Sequence, residues 1–325
     1  MAVFRNTLLD LVFAPWSIYA LFTANRLKIF TLLAEKEMTV DEIAALLSAQ
    51  KGPLEGLLDA CAAVGLLRRQ GNLYQNSHMS DAYLVEGRPL YLGDIIEVQS
   101  IEMGNWERLY SLVISGDTST GDRTRREVTP ELFTMAMNNL GMLGEAEALA
   151  NAVDLSGCKT MIDVGCGSGI YSIALCRHHP DLVATLLDTK EVLKTTSQLI
   201  RKNNLQDRVN IQTIDILKDA FGSHMDVALL SDVLYHDSSS CVQILRSAYD
   251  ALAPGGMLIV RGYYADPEKS QPVYGSLFAL GQLLFDENRE VISIPVLHSW
   301  VKKVGFKIIA SRALTERSTC VLANK

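Results

Sequence analysis

Apolar and polar positions follow two different rhythms along this chain. From residue 1 to about 100 the rhythm is helical. Leu27, Phe30, Leu33 and Ala34 recur at i, i+3, i+6 and i+7, which puts them on one helix face. The stretch from Met38 to Leu47 predicts another helix. Thr39 stands just before its apolar run and Glu42 follows three residues later, the spacing of a capping box. Gly52-Pro53 signals a turn, and Leu54, Leu57, Leu58, Cys61 and Val64 continue a helix that Gly65 ends. Leu66 to Tyr74 reads as a short hairpin turning at Gln70-Gly71-Asn72. Helix, helix and hairpin in this order make a winged-helix pattern. Residues 101–155 are again helical, with a polar loop from Gly116 to Glu127. There Phe133 and Met137 share a helix face by i,i+4 spacing.

From Gly157 the rhythm changes. Short apolar runs at Thr160–Val164, Val183–Leu187, Val209–Ile214, Val227–Leu230 and Met257–Val260 read as strands. Helical stretches near 169–179, 190–204 and 239–253 separate them. Strands alternating with helices predict an α/β fold with a parallel sheet, which binds ligands beyond the carboxyl ends of its strands. The chain therefore divides into residues 1–100, 101–155 and 156–325.

Composition narrows the function classes. The chain has 325 residues, long enough for two domains, and a formal net charge of -7. Residues 1–100 hold 8 Lys or Arg against 11 Asp or Glu, a net of -3, which argues against DNA as the partner of the winged helix. Anionic membranes are disfavoured likewise. The six cysteines are scattered without a CxxC pair, as expected of free thiols in the cytoplasm, and no metal site is expected. Leu8 to Phe22 is apolar but carries Asp10 and Pro15, reaches no transmembrane length and lacks a good cleavage pattern. A buried or interface helix is expected there.

The candidate chemistry begins at Asp163-Val164-Gly165-Cys166-Gly167-Ser168-Gly169, where a strand gives way to a helix. A dinucleotide fingerprint needs its third glycine at position 170, which is Ile170, and no Gly-Lys-Ser/Thr follows to make a nucleotide-triphosphate loop. Asp163 at the strand end suits an amine-bearing ligand. Asp188 ends the second strand, where a carboxylate can accept both hydroxyls of a ribose. Asp215 is read as ending the third, where it can accept from an adenine amino group while Ile216 packs on the ring. Loop and two acids in register point to S-adenosylmethionine, with S-adenosylhomocysteine as product.

On these residues the chain resembles the small-molecule O-methyltransferases of the caffeic acid and hydroxyindole type. The resemblance runs from the winged-helix-like segment through DVGCGSG and Leu229–Asp237 to Leu252-Ala253-Pro254-Gly255-Gly256 and Val304-Gly305-Phe306. It implies a Rossmann-like class I methyltransferase domain with a mostly parallel seven-stranded sheet. It also implies an N-terminal α-helical winged-helix dimerisation domain, a homodimer and a small-molecule acceptor. A His-Asp pair follows the fourth strand in that family, the His acting as general base, and His236 and Asp237 match it. Ser231 falls on the cofactor side of the same segment and Tyr235 on the acceptor side. The helix bearing Phe133 and Met137 is implied to cover the acceptor.

A phenol's pKa of about 10 against about 6.5 for His makes the proton transfer uphill by roughly 5 kcal/mol. A nearby acid would lessen that cost. The family supplies one after the fifth strand, yet this chain reads Ile259-Val260-Arg261 there. Glu290 and Asp237 are the candidate replacements. Arg261 is a candidate for pairing with a carboxylate on the acceptor. The competing readings are transfer to S, N or C on the same fold, and a winged-helix regulator that senses the cofactor.

Overall fold

The computed structural model describes residues 7–116, 126–268, 270–285, 289 and 291–325. Most of the expected loop at 116–127, and Glu290, lie outside the described residues. Two compact units, Met1–Glu102 and Met103–Lys325, divide the chain.

The first unit contains α1 (Thr7–Arg26), α2 (Ile29–Leu32), β1 (Met38–Thr39), α3 (Val40–Leu47), α4 (Lys51–Ala63), β2 (Leu67–Gln70), β3 (Leu73–Asn76) and α5 (His78–Tyr83). Helix α6 (Gly93–Trp106) begins in this unit. The capping box forms in full. Glu42 N donates to Thr39 Oγ1 at 3.3 Å, and Thr39 N donates to Glu42 Oε2 at 2.7 Å. Gly52-Pro53 proves to lie in the first turn of α4 rather than in a turn before it, where proline's missing N–H is not needed. Strands β2 and β3 form the hairpin, and β1 adds to it in the order β1-β3-β2. Phe30, Leu33, Ile43, Leu58 and Tyr74 share the core beneath.

Helix α1 corrects one expectation. Leu8–Arg26 spans 19 residues and reaches a mean hydropathy of 1.3 over an 18-residue window, long and apolar enough by length and composition to cross a membrane. Nor is it a buried helix within this chain, since Leu8, Leu11 and Trp16 are about seven-tenths exposed (69%, 69% and 72%).

The second unit opens with α7 (Leu109–Ser115), α8 (Pro130–Leu140) and α9 (Ala146–Ala152). Between α8 and α9 a widened turn at Gly141–Glu145 leaves helical geometry at Leu143 and Gly144, the latter with φ +95°. There follow β4 (Thr160–Val164), α10 (Ile170–His178), β5 (Val183–Asp188), α11 (Lys190–Lys202), β6 (Val209–Thr213), β7 (Met225–Ser231), α12 (Ser238–Ala251) and β8 (Leu252–Gly262). The unit ends with α13 (Val273–Phe285), α14 (Ile294–Val304), β9 (Lys307–Ala313) and β10 (Thr319–Asn324).

The seven strands pair in the order β6-β5-β4-β7-β8-β10-β9. The first five are parallel, and β10 runs antiparallel to both neighbours. Helices cover both faces, so the central strands carry apolar residues on both sides. Ile162, Leu230 and Val260 pack with α12 and α14 on one face. Met161, Leu229 and Ile259 pack with α9, α10 and α11 on the other. Strand order reverses between β4 and β7, which opens the ligand crevice at their carboxyl ends. Because Thr319 pairs with Gly262, the β9–β10 turn returns to that same end of the sheet.

Candidate active site

The glycine loop is shaped by close packing. Gly165, Gly167 and Gly169 take φ of +65°, +53° and +73°, the left-handed region that a side chain disfavours. A Cβ on Gly165 would collide with Val233, and one on Gly169 would lie 2.6 Å from Leu186 Cδ2. Gly167 differs, since nothing lies within 4 Å of the place its Cβ would occupy. Its bare backbone faces open space, the seat a closely bound ligand requires.

The acids fasten this loop. Asp188 Oδ2 accepts from Gly167 N at 2.8 Å, and its Oδ1 accepts from Thr189 N at 2.7 Å. Thr196 Oγ1 donates to Gly167 O at 2.6 Å. Asp163, 2% exposed, accepts from Ser172 Oγ at 2.5 Å. Burial pushes its carboxyl up to about 7. Asp215 is exposed and stands two residues beyond the end of β6 at Thr213, not on the strand as expected. Its carboxylate pairs with Lys218 at 2.7 Å and accepts from Leu217 N at 3.0 Å. That ion pair is exposed and weak, so it leaves Asp215 available to a ligand. Ile216 beside it is half-buried. An open loop backbone, an acid at the end of β5 and an exposed acid just beyond β6 suit S-adenosylmethionine.

Across the switch point stands an arrangement built on charge. Arg261 is 1% exposed at the end of β8. Its Nη2 meets Glu145 Oε2 at 2.7 Å, and its Nη1 pairs with Asp232. The guanidinium carbon lies 5.1 Å from the Tyr171 ring centre and 4.4 Å from that of Tyr263. Glu145 is fully buried and also accepts from Thr315 Oγ1 at 2.8 Å and from Ser318 Oγ. Burial alone would raise its carboxyl, but the Ser318 hydroxyl and Arg261 hold it below its ordinary value. The reading of Arg261 as a partner for an acceptor carboxylate is thereby set aside. The two Nη groups of Arg261 already hold Asp232 and Glu145, and the guanidinium is buried away from solvent. Its charge is offset by two carboxylates.

Asp232, at φ +57°, also accepts from Tyr235 Oη at 2.7 Å. His236 follows, half-buried, and none of the described residues hydrogen-bonds its imidazole. Asp237 departs from its expected place as the partner acid. It is exposed and caps α12, accepting from Ser239 N at 3.0 Å, Ser240 N at 3.1 Å and Ser240 Oγ at 2.6 Å. Those bonds hold its carboxyl far below the usual range.

Tyr235, Tyr263, Tyr274 and Phe278 form an aromatic cluster at the same end of the sheet, their ring centres 5.1 to 6.1 Å apart. Phe133 on α8 is 46% exposed and Met137 half-buried. Glu145, Tyr171 and Tyr274 carry site geometry that sequence reading missed. An arginine inside an apolar strand was the available signal, because a buried cation demands a buried acid.

Known proteins match most of the chain. The family profile of the O-methyltransferase domain matches residues 95–306, and that of the O-methyltransferase dimerisation domain matches residues 9–86. A 3-hydroxy-5-methyl-1-naphthoate 3-O-methyltransferase of Streptomyces sahachiroi is 33% identical over 286 residues, covering 85% of this chain and 82% of that protein. The tetracenomycin polyketide synthesis 8-O-methyl transferase TcmO of Streptomyces glaucescens is 27% identical over 328 residues, covering 98% and 96%. The crystal structure of human N-acetylserotonin methyltransferase in complex with S-adenosylmethionine superposes with a TM-score of 0.88 at 23% identity, covering 100% of this chain and 99% of that one, and shares the fold. With a family match over most of its length and an open glycine loop at the switch point of a class I sheet, the chain belongs to the S-adenosylmethionine-dependent O-methyltransferases.

Proposed function

We propose that this enzyme methylates a hydroxyl of a small aromatic molecule, with His236 as the general base. The observation that carries the reading is the half-buried His236 imidazole, unengaged by the described residues, at the sheet end where Tyr235, Tyr263, Tyr274 and Phe278 cluster. Flat aromatic rings suit such a cluster, and the relatives above act on a naphthoate and on a tetracenomycin polyketide.

When bound, the cofactor supplies a methyl group on a good leaving group, so the protein's work is positioning, water exclusion and one proton transfer. Asp163 and Ser231 face the amino-acid end of the cofactor, Asp188 the ribose, and Asp215 with Ile216 the adenine. Phe133 and Met137, from the 101–155 segment, belong to the cover over the acceptor. His236 takes the hydroxyl proton on a ring nitrogen.

The test is a panel of naphthols, hydroxynaphthoates and hydroxyindoles incubated with S-adenosylmethionine, reading S-adenosylhomocysteine release. His236→Gln should slow turnover of the accepted phenol by about 10²-fold or more. Near-normal turnover of that phenol would remove His236 as its general base.

The same proposal makes the enzyme a cytoplasmic homodimer. The dimerisation-domain match covers α1 from residue 9 onward, and the exposed Leu8, Leu11 and Trp16 give that helix an apolar side to cover. Light scattering of Trp16→Glu should show monomer where the parent chain is dimeric. Recovery of the parent chain in membranes would point to the other use of α1.

A further inference from the structure

We infer that Arg261 is a positioning residue for the cofactor: its two ion pairs clamp both sides of the frame around the glycine loop at the end that takes the amino-acid part of S-adenosylmethionine. The inference rests on the reading that Asp188 takes the ribose and Asp215 the adenine.

Three contacts carry it. Asp232, held by Arg261 Nη1, is followed directly by Val233, and Val233 is the side chain that a Cβ on Gly165 would strike. Glu145, held by Arg261 Nη2, closes the widened turn that begins at Gly141. Gly141 approaches the far end of the loop so closely that a Cβ there would lie 2.5 Å from Ile170 Cγ2. Tyr171, next in α10, lies under the guanidinium itself. One side chain thus fixes the segment packed on the first glycine, the segment packed on the residue after the last, and the helix between.

The sheet gives the clamp its polarity. Asp188 ends β5 and Asp215 follows β6, on one side of β4, whereas Asp232 follows β7 and Arg261 lies on β8, on the other. A ligand with its adenosine over β5 and β6 has its amino-acid end over β4 and β7, beside the clamp. Asp232 also needs holding. It is a non-glycine residue at φ +57°, a conformation that surrounding contacts must maintain. Arg261 and Tyr235 supply them. Lysine cannot replace this fork, because an ammonium is a point charge and cannot span two carboxylates in fixed directions.

Calorimetric titration of two nucleosides provides the test. S-adenosylhomocysteine carries the amino-acid end, and 5′-methylthioadenosine keeps the adenosine without it. Arg261→Lys should weaken S-adenosylhomocysteine by about tenfold or more while changing 5′-methylthioadenosine by less than about twofold. Asp232→Asn, which leaves the Arg261–Glu145 pair intact, should act in the same direction. The double variant should weaken binding less than the product of the two single effects. Equal weakening of both ligands, or weakening of neither, overturns the inference. Asp188→Ala serves as the separate control and should weaken both ligands. If it weakens neither, the assignment of the ribose falls, while the clamp is still judged by S-adenosylhomocysteine binding to Arg261→Lys.

Discussion

The two sides of the cofactor crevice are held by opposite physics. Around Gly165 and Gly169 the backbone is fixed by shape: left-handed glycines, with Val233 and Leu186 filling the space where side chains would stand. Around Arg261 the frame is fixed by charge, one buried guanidinium between two carboxylates and two tyrosine rings. A frame built on shape fails when an atom is added. A frame built on charge fails when an atom is removed, because the partner left behind stays buried and unpaired.

The largest break should therefore come from deletion on the charged side. Arg261→Met takes from the fully buried Glu145 its 2.7 Å partner and leaves it the part-exposed Arg317 at 3.5 Å, and a broken buried pair costs about 3–5 kcal/mol. Denaturant unfolding should show that loss. It should be smaller in Arg261→Met with Glu145→Gln, where the orphaned acid has been neutralised. If the double variant is as unstable as the single one, shape governs this corner too.

Addition on the other side should follow. Gly165→Ala meets both a left-handed φ, worth about 1–2 kcal/mol, and a clash with Val233, worth about 1–3 kcal/mol. Gly167→Ala meets only the first, since its surroundings are open. The expected result is a large stability loss for Gly165→Ala. Gly167→Ala should lose less stability but bind S-adenosylhomocysteine poorly, its methyl group occupying the ligand's seat. Equal effects of the two on stability would remove the steric account.

The two sides should also answer pH in opposite directions. Asp163 is pushed up to about 7 by burial, so the folded chain keeps its proton longer than the unfolded one. Its contribution is complete below an ordinary Asp pKa of about 4 and is lost as pH rises through about 7. Glu145 is held below its ordinary value, so its contribution is present above about pH 4.3 and fades as pH falls. Melting curves of the parent should decline between roughly pH 4 and 7, and those of Asp163→Asn should lose that decline. Those of Glu145→Gln should lose the acid-side decline instead.

Legibility in the sequence followed the same division. The glycine loop could be read because strand, tight turn and helix are neighbours in the chain, and each glycine answers to local backbone geometry. The capping box at Thr39 and Glu42 was legible for the same reason. Asp188 fell at a strand end as expected, while Asp215 was misplaced by two residues because β6 stops at Thr213. The charged corner was not legible. Arg261 and Glu145 are 116 positions apart, and nothing local to either names the other. Arg261 consequently read as a cation awaiting a substrate. Helix α1 was misjudged because it is apolar on all sides, and such a helix does not declare which face is covered.

The smallest expected effect decides between two uses of one carboxylate. Asp237 stands beside His236 in sequence, and the family resemblance made it a candidate to steady an imidazolium. Its oxygens instead accept from Ser239 and Ser240 at the start of α12. Those bonds hold it ionised far below the usual range, so over the working pH range it titrates with nothing. Asparagine caps a helix about as well as aspartate but carries no charge. Asp237→Asn should therefore leave the melting temperature and the pH profile of methyl transfer nearly unchanged, whereas Asp237→Ala should lower the melting temperature alone. A shifted basic or acidic limb in Asp237→Asn would restore the residue to the proton-transfer machinery. It would mean that charge steadies the base here as it clamps Arg261, and the division between a steric and an electrostatic side would then run through the 232–237 segment itself rather than beside it.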